Sequence, residues 1–148
     1  MDANQQSIFD KQVKELTTLH YALVAGLIIV NGVLYTQTID PELRLTDTED
    51  VFLYIVPLLA ISGVFFSQFL FKKKLGEIAE TPSFEEKLMA YRSASVMKFA
   101  LIEGPALIAI LFGFINGNLL YSIIGAILTV YLFLQRVTKD KARYDLAL

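Results

Sequence analysis

Apolar positions in this chain gather into four blocks divided by polar stretches, instead of alternating through one mixed surface. Crossing about 30 Å of hydrocarbon takes roughly 20 helical residues at 1.5 Å each. Four runs come near that length: 16–35, 51–71, 96–116 and 118–134. The pattern predicts an all-α integral membrane four-helix bundle, a single domain over residues 1–148. Ahead of the first run, Ile8, Phe9, Val13 and Leu16 recur at near-helical spacing, so the first helix is expected to begin before the bilayer. The opening MDANQQSIFDKQVKE has no short basic region and no small-residue cleavage site follows the apolar run, which reads as a retained helix and not a signal peptide. Between the second and third runs, a connecting stretch after Lys74 leads to Thr81-Pro82-Ser83. Ser83 with Glu86 three residues on has the form of a capping box, and Pro82 near a helix start has its φ already set. Phe84, Leu88 and Tyr91 then make one stripe, predicting an interfacial helix over about 83–95 that runs or hinges into the third span.

Composition sharpens this picture mainly by exclusion. The chain is 55% hydrophobic with a mean hydropathy of +0.53. It has no cysteine, which removes disulfides and thiolate chemistry, and its single histidine, His20, makes a zinc site improbable. No basic patch is interleaved with aromatic residues, so nucleic acid is not an expected partner. The net charge of −2 says less than where the positive charges lie. Of the 13 lysines and arginines, only Arg44 falls in the first loop; the other twelve fall before the first run, between the second and third, at the mouth of the third (Lys98) and after the fourth. By the positive-inside rule both termini are expected in the cytoplasm, with the protein multi-pass in a cell membrane. Lys98 is expected to snorkel to water as an anchor.

Chemistry is expected, if anywhere, where polar groups enter the lipid. Glu103 lies five residues into "KFALIEGPALIAILFGFINGN" and is followed by Gly104 and Pro105, a predicted kink. A charge at the bilayer centre costs on the order of 2.5 to 3.5 kcal/mol on insertion scales, so it usually faces protein or water. At about 100° per residue, Arg92 falls within about 20° of Glu103, and Ser95, Ala106, Ala109, Gly113 and Gly117 cluster to one side as a close-packing face. Polar stripes are expected on the other helices too: Thr17, His20 and Asn31 on the first; Tyr54, Pro57, Ile61, Val64 and Gln68 on the second; Ser122, Gly125, Thr129 and Arg136 on the fourth. His20, Gln68, Glu103 and Thr129 lie at similar depth, so Glu103, His20, Gln68 and Arg92 are the candidates for binding a proton or cation. Pro105 frees the carbonyl of Leu101 as a further acceptor near Glu103. A carboxyl in low dielectric favours its neutral form, so Glu103 is expected to be able to hold a proton near neutrality.

Two resemblances attach to these residues. The run "ALIEGPALIAILFGFINGN" is similar to the acidic second helix of rotary ATP synthase c subunits, which implies Glu103 as an ion-carrying carboxylate. It departs from that family in its preceding span, which carries only Gly63, and in a connection of some twenty residues. Arg92, Ala94, the Ala100 to Leu107 run and Gly117-Asn118 together resemble a recurrent family of small four-helix inner-membrane proteins of bacteria. That implies a bacterial inner-membrane location and no activity. The length and helix count also match glutathione- and eicosanoid-handling membrane enzymes, which hold anionic cofactors with several arginines, whereas here little besides Arg92 is available. The sequence therefore predicts no enzyme, no catalytic residue, no metal and no cofactor. It predicts a structural or accessory subunit, partnered by the bilayer and by itself or a larger membrane complex, with a proton- or cation-coupled module on Glu103 as the alternative.

Overall fold

The computed structural model describes residues 2–46, 50–80 and 83–148, and helices carry most of them. In chain order these are α1 (Ala3–Gln37), α2 (Phe52–Ala79), α3 (Phe84–Asn116), α4 (Leu119–Leu134) and α5 (Lys139–Leu146). The fold is all-α, and α1, α2 and α3 are each long and apolar enough to cross a membrane. With only 16 residues, α4 reaches that standard only together with α5, past a bend of 73°.

Helix ends show where local chemistry met or escaped the sequence reading. Asp2 caps α1 reciprocally with Gln5: its Oδ1 accepts from the Gln5 N–H at 2.7 Å, and the Gln5 Oε1 accepts from the Asp2 N–H at 3.2 Å. The capping box expected at Ser83 does not form, since Ser83 makes no side-chain cap bond. Glu85 and Glu86 stand in the first turn of α3 instead, where carboxylates meet the positive end of the helix dipole. Thr81 and Pro82 lie outside the described residues. The stretch 84–95 runs into the third span as one uninterrupted helix. Helix α2 does not stop near residue 71. It continues to Ala79 because Leu75 packs on the core, Ile78 is buried, and Lys74 pairs with Glu77 at 2.6 Å.

Helix α3 is the central element, packed against α1, α2 and α4. Lipid tails are as apolar as leucine, so close backbone approach, not hydrophobicity, holds helices together there. Three glycines mark that approach. A Cβ at Gly63 would stand 2.6 Å from both the Leu101 carbonyl oxygen and the Pro105 ring; one at Gly113 would stand 2.3 Å from Ser122 Oγ; one at Gly125 would stand 2.5 Å from Ile110. These contacts also correct the expected face of α2. Its buried line is Val56, Ala60, Gly63, Ser67 and Phe71, while Tyr54 and Ile61 are 68% and 69% exposed. The face is turned by one residue, about 100°, because the small residues, not the polar ones, meet α3.

At the basic end the helices outrun their apolar stretches and α5 folds over them. Phe9, Leu88, Tyr91, Ala142 and Leu146 are buried there in one cluster. Each large apolar side chain removed from water contributes about 1.5 to 3 kcal/mol. The helix α5 lies beyond the four expected spans. Its signals were present: Thr138, whose hydroxyl accepts from the Lys141 N–H, and Ala142 and Leu146 four residues apart on one face. Polar ties fix it in place, with Lys139 on Asp10 at 2.9 Å, Arg143 donating to Gln6 at 3.4 Å and the Tyr91 hydroxyl donating to Asp145 at 3.2 Å. Burial first, and then the Asp145 carboxylate, push the Tyr91 phenol well above its ordinary range, so it remains the donor.

Asp10 makes this tie testable by pH. The hydrogen bond from Lys139 is the main cause that holds its carboxyl below the ordinary value of 3.8. A depressed folded pKa contributes stability that is present above the unfolded value and lost as pH falls through the folded one. Amide exchange in α5, corrected for intrinsic rate, is therefore expected to quicken below about pH 4. Asp10→Asn should exchange faster already at pH 7, with no acid step. An acid profile identical in the wild type and Asp10→Asn would show that this pair does not hold α5.

At the opposite end the loop after α1 is knotted to the α3–α4 turn. Gly117 has φ of 63°, a left-handed conformation that suits glycine. The Glu42 N–H donates to the Gly117 carbonyl at 3.0 Å, and the Leu119 N–H donates to Glu42 at 2.9 Å. Buried Asn118 exchanges bonds with the Arg44 backbone at 3.2 and 3.0 Å, while the Arg44 guanidinium donates to the Asn116 carbonyl. The lone basic residue of this end is thus occupied with a helix C-terminus.

Candidate functional site

The structure does not gather the candidate polar residues into one cluster; it distributes them over separate helix contacts. His20 on α1 is fully buried, its ring tilted against Phe99 of α3 with centroids 4.8 Å apart. Its Nε2 lies 3.3 Å from the Phe133 carbonyl of α4, so that nitrogen carries a hydrogen, while Nδ1 is buried and without a partner among the described residues. Gln68 on α2 donates to the Tyr131 hydroxyl at 2.7 Å and to Gln135 at 3.1 Å, tying α2 to α4. Thr129 bonds within its own helix, to the Gly125 carbonyl at 2.8 Å. Arg92 is half-exposed and pairs with Glu15 at 3.3 Å, between α3 and α1.

Glu103 is left by itself. It is half-buried at the border of the α3 packing face, beside exposed Val96 and Ala100, and no hydrogen bond or ion pair reaches it among the described residues. The carbonyl freed by Pro105 is not its partner. Leu101 and Glu103 are two residues apart, about 200° around the helix, and the Leu101 oxygen faces Gly63 of α2. Pro105 sits against the same glycine, so the Gly-Pro pair serves the α2–α3 crossing, and Gly104 faces open space. Beside Glu103, the small residues Ser95, Ala106, Ala109 and Gly113 are buried and Gly117 forms the left-handed cap. They accommodate α4 and the rest of the bundle, with Gly113 against Ser122 and Ala106 near Gly125.

Lys98 also departs from expectation. It is 4% exposed, with its ammonium 4.6 Å above the Phe71 ring, because α5 closes over the mouth where it was expected to reach water. A cation over an aromatic face keeps part of the stabilisation lost with water. Among the described residues, no three acidic, histidine or cysteine side chains stand together to hold a metal ion.

Compared with known proteins, the chain matches no family model, no characterised protein and no solved structure. The functional reading therefore rests on the geometry alone. That geometry contains one acid at the depth of an apolar helix, on an open edge, with no partner among the described residues. The three residues expected at the same candidate site, His20, Gln68 and Arg92, are engaged at other contacts.

Proposed function

We propose that the chain is a four-crossing bundle of a bacterial inner membrane, with both termini in the cytoplasm, that acts as a structural or accessory subunit by self-association or within a larger membrane complex. The observation that carries this is the unpaired Glu103 at the edge of α3. An acid at membrane depth normally faces protein or water and pairs, and a second chain laid along that edge would supply a partner that the described residues do not. Support for a fourth crossing comes from the two-residue turn between α3 and α4 and from their glycine-lined contact, which sends α4 back along α3. The orientation follows from the twelve basic residues gathered at one end. Membrane discs cut directly by polymer are expected to carry more than one chain per particle, either copies of this one or a constant partner. One 16.6 kDa chain per particle would contradict the proposal.

The same unpaired acid favours a second reading, a proton- or cation-coupled module using Glu103. Carbodiimide labelling separates the two. A carrier carboxyl is labelled at neutral pH and protected by its cation, with Glu103→Gln as the blank. A carboxyl buried against a partner chain is labelled only after the complex is dispersed in detergent.

A further inference from the structure

Two grooves lie one above the other along α1, the deeper against α4 and the upper against residues 136–139. The deeper, of about 660 Å³, is lined by Val24, Ile28, Gly32, Ala126, Val130 and Phe133, and it is almost wholly apolar. Its walls are open: Ile28 and Val130 are each 60% exposed, and a Cβ at Gly32 would meet nothing within 4 Å. The upper groove, of about 700 Å³, begins at the basic end beyond the Tyr21 and Phe133 rings, whose centroids stand 6.2 Å apart, and is lined by Lys11, Lys14 and Arg136 with Thr18. None of those three cations has an ion pair or hydrogen bond among the described residues. Its one carboxylate, Asp10, is already held by Lys139 at 2.9 Å, and Thr17 already bonds the Val13 and Val137 carbonyls. Net positive charge therefore crowns an apolar channel.

Helix length sharpens the fit. The 16 residues of α4 cover about 24 Å, some 6 Å less than the hydrocarbon core, so Arg136 sits low and must snorkel or draw the surface down to it. From Thr18 in the upper groove to Ile28 in the deeper one, α1 covers about 15 Å, close to the depth of the leaflet at the basic end.

We propose that the α1–α4 crease binds one anionic phospholipid, its phosphate held by Lys11, Lys14 and Arg136 and an acyl chain lying along the groove from Phe133 toward Gly32. Basic pockets between helix ends recognise anionic headgroups in this way. The proposal rests on α4 crossing the membrane beside α1.

The test is native mass spectrometry of the full chain released from zwitterionic micelles doped with phosphatidylglycerol or with phosphatidylcholine of the same chains. One phosphatidylglycerol is expected to be retained in preference. Each cation neutralised should weaken retention roughly fivefold, and Lys11→Gln/Lys14→Gln/Arg136→Gln about a hundredfold. These side chains are exposed, so the fold, followed by circular dichroism, should be unchanged. Gly32→Leu with Ala126→Leu, which fills the channel, should lower lipid retention too. Displacement of the lipid by millimolar inorganic phosphate, with no effect of the filled channel, would overturn the proposal in favour of a free-anion site. Equal retention of both lipids would overturn it as well. A single cysteine at Leu119, labelled by an impermeant maleimide from the side of α5, would show instead that the crossing itself is wrong.

Discussion

Gly63→Val is expected to lose about 1 to 3 kcal/mol of stability, roughly a five- to hundredfold shift toward the unfolded state. Overpacking is tolerated where the obstacle can rotate away, and here it cannot. The atoms a Cβ would strike at 2.6 Å are a backbone carbonyl and a proline ring. Gly125→Val should be milder, because its nearest obstacle is the Ile110 side chain, at 2.5 Å. Gly104→Ala is the matched control one helix away: nothing lies within 4 Å of its Cβ, and replacing glycine inside a helix gains about 0.5 to 1 kcal/mol. Denaturation by added anionic detergent should rank the three in that order. Equal midpoints for Gly63→Val and Gly104→Ala would mean that α2 does not cross α3 at Pro105.

The long apolar runs were legible because a hydrocarbon solvent leaves helices as the economical way to satisfy the backbone. Block length therefore located α1 to α4 closely within the apolar stretches. Helix ends were less legible. The turns through Leu75 and Ile78 are amphipathic and polar on average, so they read as a loop until α5 and α3 supply the apolar partners that bury them. The helix α5 carries too few apolar residues to stand out, and only Thr138, Ala142 and Leu146 betray it. The buried line of α2 lies one residue from the expected stripe because a polar side chain is no guide to the closest contact. In lipid the closest contact selects the smallest residues, and Ala60, Gly63 and Ser67 are those. For the site, a sequence can place Glu103, His20 and Gln68 at one depth, but depth is one coordinate of three. The rotation of each helix gave His20 to Phe133, Gln68 to Tyr131 and Arg92 to Glu15, leaving Glu103 unmatched.

That mismatch yields the second large effect. If a neighbouring chain completes Glu103, Glu103→Gln should weaken association about three- to twentyfold, the range of an interhelical hydrogen bond of about 0.6 to 1.7 kcal/mol. Fold stability should change little, since the carboxyl makes no bond among the described residues that the amide would break. Glu103→Ala should weaken association further, because the amide can still bond and a methyl group cannot.

The absence of native cysteine allows this edge to be mapped directly. Single cysteines at Ala100 and Leu107 flank Glu103 on one face of α3, three and four residues away, while a cysteine at Ile61 occupies an exposed position on α2. Oxidative cross-linking in native membranes is predicted to give a discrete higher species from Ala100→Cys and Leu107→Cys, little from Ile61→Cys, and a clear loss of the first two when Glu103→Gln is added. Cross-linking that is equal at all three positions, or unaffected by Glu103→Gln, would contradict the claim that this acid marks where the bundle meets another chain.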